Sequence, residues 1–324
     1  MNKKYIKTKF IVTIIGALVL ALLCMRVGSI DLSLKEIVVG LIHGGSSEIE
    51  IIKAVRLPRI FIALFTGGML SVAGVLLQAV MRNPLADPGI IGISAGATCM
   101  NTLMLAIAPG LVVSSPIAGL LGGVLACALV YAFAWDNGFK PQRIILAGIA
   151  INALFGALGE VISYMTSSSI GGSLISQAQS LGKGWDSVRF IVLYGTIGLV
   201  LSFILYKKCN TLALGERNAR SLGMQVNKDR IFICLVAVLL AIIPTVEVGV
   251  ISFVGLVVPH LSRIIIGHNH KQLIPFSALL GGTLLLGADL LGRVLIYPFE
   301  IPISIMMSLI GAPFFLYMLR RRAS

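Results

Sequence analysis

Three arginines, one short hydrophilic segment and a lone carboxylate are the residues of this chain whose types and spacing could do chemistry. Arg56 and Arg59 lie three apart at the start of a predicted helix, so they share one face, and Pro58 between them suits a first helical turn. Arg293 follows Asp289 by four residues at the end of another predicted helix. Read alone, guanidiniums at helix ends are anchors that hold a charged head at the membrane surface. The stretch TLALGERNARSLGMQVNK, at 211–228, is hydrophilic but carries Leu214, Ala219 and Leu222 at regular intervals around Gly215 and Gly223. That pattern predicts a short amphipathic helix closed by Gly223 as a left-handed cap. Its apolar stripe, flanked by Glu216, Arg217 and Arg220, suits docking into a cleft on a partner; a solvated loop is the competing reading. Glu160, in GALGEVISY, sits in apolar sequence, where an ionised carboxylate is costly unless it faces water or a partner. Two readings fit it: a residue lining a path, or a protonated carboxyl in a helix-packing hydrogen bond. Asn152, eight residues earlier, lies on roughly the same face, and Gln78 shares its membrane depth only.

No catalytic constellation accompanies these residues. The nearest approach to a phosphate-binding loop is Gly182 with Lys183, but Gly184 follows where Ser or Thr is needed. H-E-x-x-H and closely paired carboxylates within the spans are missing. Cys24, Cys99, Cys127 and Cys234 fall in apolar spans and Cys209 at a span end, without C-x-x-C or metal-ligand spacing, so they read as small buried side chains. His268 and His270 read as loop charges. The chain is therefore expected to be neither an enzyme nor a metal or cofactor binder.

The elements that position these residues must be membrane helices. Of 324 residues 57% are apolar and only 12% charged, with a mean hydropathy of +0.98, too little polar surface to cover a water-soluble globule. Stretches long enough to cross a hydrocarbon core of about 30 Å, roughly 20 residues each, fall at 10–27, 59–80, 90–109, 111–135, 143–166, 189–206, 230–248, 250–266, 273–297 and 301–319. The expectation is an all-α membrane protein, a polytopic bundle of about ten transmembrane helices forming one domain over 1–324, with a hydrophilic segment at about 207–228 and no soluble domain. The first stretch lacks an A-x-A-like cleavage site after Met25, so it reads as a retained helix and not a signal peptide. Small residues four apart, Gly92 with Gly96, Gly119 with Gly123 and Ala63 with Gly67, predict close helix packing. Two Gly-rich segments, 89–97 and 249–255, fall in opposite halves with opposite predicted directions, a faint sign of an inverted repeat.

Assigning alternate loops to two sides splits the 26 basic residues 18 to 8, while eight of the 13 acids fall on the side poorer in bases. By the positive-inside rule both termini and the 207–228 segment are cytosolic. The charge of +13 is this topology signal and not a nucleic-acid footprint, because the bases are spread over separate short loops.

Several motifs occur in one order: RLPR (56–59), GVLLQ (74–78), RNPLADPG (82–89), GISAGA (92–97), GVISFVGLVVPHLSR (249–263), GADLLGR (287–293) and EIPISIMMSLIGAPFFLYML (300–319). Together they closely resemble the FecCD-type permeases of ATP-driven importers for ferric siderophores, haem and cobalamin, over nearly the whole chain. The resemblance implies a permease of about ten helices in a bacterial cytoplasmic membrane, paired with an identical or homologous second permease. Two ATPase subunits that bind ATP and Mg would sit below it and an extracytoplasmic substrate-binding protein above. It further implies that Leu214, Gly215, Glu216, Arg217, Ala219, Arg220, Leu222 and Gly223 form the ATPase-coupling helix. Arg56, Arg59 and Arg293 would meet glutamates on the binding protein, where exposed ion pairs of about 0–1 kcal/mol each would orient docking. The family's Trp-Gly-Ser-Leu pattern before the sixth span is incomplete here, since QAQSLGKGW (177–185) lacks the first Trp.

The implied mechanism is alternating access, with ATP clamping of the partner ATPases transmitted through the coupling helix to a central path. Ferric siderophore is the first cargo expectation, with haem and cobalamin beside it. The other class is an ion- or proton-coupled secondary transporter, in which Glu160 would carry the proton.

Overall fold

The computed structural model describes residues 3–27, 36, 39–40, 47–89, 92–108, 115–135, 141–166, 181–296 and 299–322. Every regular element among them is helical. In chain order these are α1 (Lys3–Arg26), α2 (Ser47–Ile51), a π-helical turn at Ile52–Arg56, α3 (Leu57–Met81), α4 (Ile93–Ile107), α5 (Ser115–Ala134) and α6 (Pro141–Thr166). There follow α7 (Trp185–Ile204), α8 (Tyr206–Ala213), α9 (Glu216–Ser221), α10 (Val226–Val248), α11 (Val254–Ile266), α12 (His270–Val294) and α13 (Ile303–Arg322).

Among the described residues seven helices are long and apolar enough to cross a membrane, and three more, at Ile93–Ile107, Val254–Ile266 and Ile303–Met318, are apolar but shorter. α3 is the axis of the bundle: it is almost wholly buried and packs against α7, α10, α11 and α12, whereas α1 lies at the periphery with most of its apolar surface bare. Composition explains the difference. The α3 sequence carries Ala63, Gly67, Gly68, Ser71, Ala73 and Gly74, which let neighbouring backbones approach, while the bulky Ile, Val and Leu of α1 suit lipid. One such close approach is at Gly74, where a β-carbon would collide with the Gly255 carbonyl.

The spans expected at 90–109 and 250–266 are not continuous helices. α11 has 13 residues, about 20 Å at 1.5 Å per residue, short of a full crossing. Pro84 and Pro88 lack an amide donor, and side chains capture the backbone around them: Leu85 N–H donates to Asn83 Oδ1 at 2.9 Å and Gly89 N–H to Asp87 Oδ1 at 2.8 Å. The two Gly-rich segments share a device: α4 starts after Gly92 (φ 81°) and α11 after Phe253 (φ 69°), so each short helix begins at a left-handed residue. Protein covers this irregular backbone, as it covers Ala86, Asp87 and Ile251.

Candidate functional site

The 207–228 segment forms two short helices, α8 and α9, where one was expected. Gly215 (φ 101°) breaks the chain between them, and Gly223 (φ 79°) closes α9 as the sequence pattern anticipates. Met224 N–H donates to Ala219 O at 3.0 Å and Gly223 N–H to Arg220 O at 2.9 Å, the paired bonds of a Schellman cap. The apolar stripe divides. Leu214 and Leu222 are 57% and 67% exposed, but Ala219 is fully buried and faces the bundle. Glu216 fastens α9 to the membrane helices: its Oε1 accepts from Arg220 at 2.6 Å and its Oε2 from Arg230 at 3.1 Å. Burial alone would raise the Glu216 carboxyl, but Arg230 and Arg220 outweigh it and hold it below the ordinary carboxylate value. Arg217 stays exposed on the outer side of α9. The result is a six-residue helix flanked by two bare leucines and held through a charge-assisted bond to α10.

The three arginines meet at the opposite end of α3, and their guanidiniums are occupied within the chain. Arg59 Nε and Nη2 donate to Asp289 Oδ1 at 3.0 and 2.9 Å, and Nη1 to Glu300 Oε2 at 2.8 Å. Arg293 Nε lies 3.2 Å from Asp289 Oδ2, close enough for an ion pair but not aligned as a hydrogen bond. Arg293 Nη1 also donates to the carbonyls of Cys24 and Val27, both at 3.3 Å. Arg56 donates to the carbonyls of Met25 and Arg26. These are the last carbonyls of α1, which lack intrahelical donors and attract positive charge. Arg56 and Arg293 are buried and the Arg59 side chain is 16% exposed. One tertiary cluster thus ties the ends of α1, α3 and α12 together, which i, i+3 spacing alone does not reveal.

Glu160 lies on an exposed face of α6 with Leu158, Val161 and Tyr164, and Asn152 is half-buried with its backbone against Gly92; the two make no common site. Residues 167–180 of the atypical segment lie outside the described residues. Lys183, in the near-match to a phosphate loop, instead pairs with Glu247 at 3.5 Å. Burial pushes its ammonium below the ordinary value, with Glu247 opposing. His270 is not a loop charge: it is buried at the start of α12, its Nδ1 2.9 Å from Asn210 Oδ1. Gln78 is more than a residue at a shared depth. Its Nε2 donates to Gly255 O at 3.1 Å and Ala86 O at 3.3 Å, and its Oε1 accepts from Arg263, so one amide joins α3, the 82–89 loop and α11. The signal was present in GVLLQ, as an amide ending an otherwise apolar span. Among the described residues no cluster of three His, Cys, Asp or Glu could hold a metal ion.

This architecture has known counterparts. The chain is 36% identical over 298 residues to the Fe(3+)-citrate import system permease protein YfmD of Bacillus subtilis (strain 168), covering 92% of this chain and 90% of that one. It is 35% identical over 318 residues to the Staphylococcus aureus (strain MSSA476) protein named "Probable heme-iron transport system permease protein IsdF", covering 98% and 96%. Among solved structures, an inward-facing conformation of a protein described as of metal-chelate ABC transporter type matches with a TM-score of 0.84 at 30% identity, covering 97% of this chain and 99% of that one. With the FecCD family model matching residues 14–321, the chain belongs to the FecCD transport family.

Proposed function

We propose that this chain, the membrane permease of an ATP-driven importer, works as one of two permease subunits and carries a ferric chelate. The observation behind this reading is the α8–α9 handle: two exposed leucines on a capped helix, tied through Glu216 to the buried Arg230 of α10. A push on that handle reaches a membrane helix through a charge-assisted bond whose arginine end is buried. The excess of bases on the handle's side supports a cytosolic placement, where two ATPase subunits would bind ATP and Mg and grip Leu214 and Leu222. Ferric citrate and haem, the cargoes in the names of two relatives, are both iron held in an organic chelate, which widens the siderophore expectation to ferric chelates as a class.

Glu160 supports a path along the bare face of α6, since a carboxylate on that face is costly against lipid and favourable against water between two permease subunits. At the outer end an extracytoplasmic binding protein would dock on the rim around Arg59 and Glu300, with Arg56 and Arg293 shaping that rim from beneath. The test is co-purification of the intact chain and of Leu222→Asp from native membranes, followed by ATPase assay of both. The intact chain should bring an ATPase subunit that the variant loses. Uptake by the purified chain alone, driven by an ionophore-sensitive gradient, would overturn the reading.

A further inference from the structure

We infer that the end of the bundle beside α9 holds a site for a phosphate group, presented by an anionic phospholipid headgroup or as free phosphate. The inference rests on the membrane placement of the chain and not on ATPase docking. A cavity of about 380 Å³ opens between the end of α3 and the α11–α12 junction, lined by Arg82, His260, Arg263, His268 and His270, with no carboxylate in its wall. Arg82 ends α3 in the left-handed region (φ 49°), and its Nη2 stands 3.8 Å from where a β-carbon on Gly215 would lie. No hydrogen bond or ion pair occupies Arg82 among the described residues.

His270 supplies the second observation. It is only 5% exposed, and its Nε2 is buried without a hydrogen-bond partner. A chain of amides settles its tautomer. Lys271 N–H donates to Asn269 Oδ1 at 3.1 Å, so that oxygen is an acceptor, and Asn210 Nδ2 donates to it at 3.0 Å. Asn210 Oδ1 therefore faces His270, accepting from its backbone N–H and from Nδ1–H, both at 2.9 Å. On a neutral ring the remaining Nε2 is an acceptor. The wall thus combines guanidinium donors for anionic oxygens with a histidine whose Nε2 has no partner in the chain. Such donors suit the several oxygens of a hydrogenphosphate or a phosphoglycerol group. Ile264, 68% exposed at the rim, gives an acyl chain an apolar seat next to the charged wall.

The purified full-length chain in neutral detergent is titrated with phosphatidylglycerol, with phosphatidylcholine as control, and separately with inorganic phosphate, while thermal unfolding is followed. Arg82→Gln and Arg82→Lys are run alongside; both change an exposed side chain. Phosphatidylglycerol should stabilise the wild type, with apparent affinity roughly tenfold weaker in Arg82→Gln, the effect of losing one charge-assisted bond, and largely kept in Arg82→Lys. Competition by inorganic phosphate would assign recognition to the phosphate group itself. Stabilisation by inorganic phosphate alone would identify a soluble anion as the source, and stabilisation by the lipid alone would show that the acyl chain is required. An equal response to phosphatidylcholine, or one unchanged in Arg82→Gln, overturns the proposal. So does an Arg82→Gln chain that binds phosphatidylglycerol normally but loses its ATPase subunit, which would assign the cavity to docking.

Discussion

Replacing Asp289 by asparagine keeps the shape of the side chain and one acceptor oxygen but removes the carboxylate that Arg59 and Arg293 share. The Asp289 and Arg293 side chains are 2% and 8% exposed, so water cannot take its place. Breaking a buried pair by removing one partner costs about 3–5 kcal/mol. Arg59 keeps Glu300 at 2.8 Å, which leaves the loss mainly at Arg293, held otherwise by two carbonyls at 3.3 Å. The expected cost therefore lies near the lower end, about 3 kcal/mol, read as a shift in reversible unfolding of the detergent-solubilised chain by dodecyl sulfate. A second variant that also changes Arg293→Met should recover much of that loss, because a well-packed apolar residue often replaces a buried ion pair at little cost. Affinity for the binding protein is measured on the same variants across a salt series. A cost below about 1 kcal/mol, together with a salt-dependent loss of binding-protein affinity, would show that the arginines face a partner, and the internal-clamp argument would fail.

Gly74→Ala forces a methyl group against the Gly255 carbonyl and should destabilise the bundle by about 1–3 kcal/mol; an unchanged unfolding midpoint would refute the close crossing of α3 and the start of α11. Burial, partly opposed by the Gly89 N–H, pushes the Asp87 carboxyl from an ordinary 3.8 up to about 6. The folded chain then keeps a proton that the unfolded chain has lost, so stability should fall as pH rises between those values. Asp87→Asn should flatten that slope and add up to roughly 3 kcal/mol above pH 6, seen in unfolding midpoints across a pH series. Glu216→Gln leaves Arg230, with a 4% exposed side chain, without its carboxylate. Uptake in reconstituted vesicles should then fall more than ATP hydrolysis, and equal losses would argue that the bond serves assembly and not force transfer.

Much of the architecture was legible because lipid imposes simple rules. Each of the ten apolar stretches holds an apolar helix among the described residues, and Gly223 closes α9 because a glycine after an amphipathic run is the cheapest left-handed cap. Hydropathy could not show that α4 and α11 are short, because local events, the Asn83 and Asp87 bonds before α4 and the left-handed Phe253 before α11, are smoothed away by an average over about 20 residues. Ala219 looked like part of an exposed stripe because helical spacing fixes which residues share a face, but not which face the bundle covers.

The amino-acid sequence by itself determined the solvent of this chain, its helical class, its family and the location of the handle, since each depends on composition or on residues close together along the chain. Tertiary structure alone decided what the charges do. Arg59 reaches Asp289 across 230 residues, Arg293 reaches Cys24 at the end of α1 across 269, Gln78 reaches Arg263 across 185, and His270 finds Asn210 across 60. Such partners are chosen by which helix ends meet in the bundle, and in a medium that offers few alternative hydrogen bonds each buried polar group must take the partner that packing brings to it.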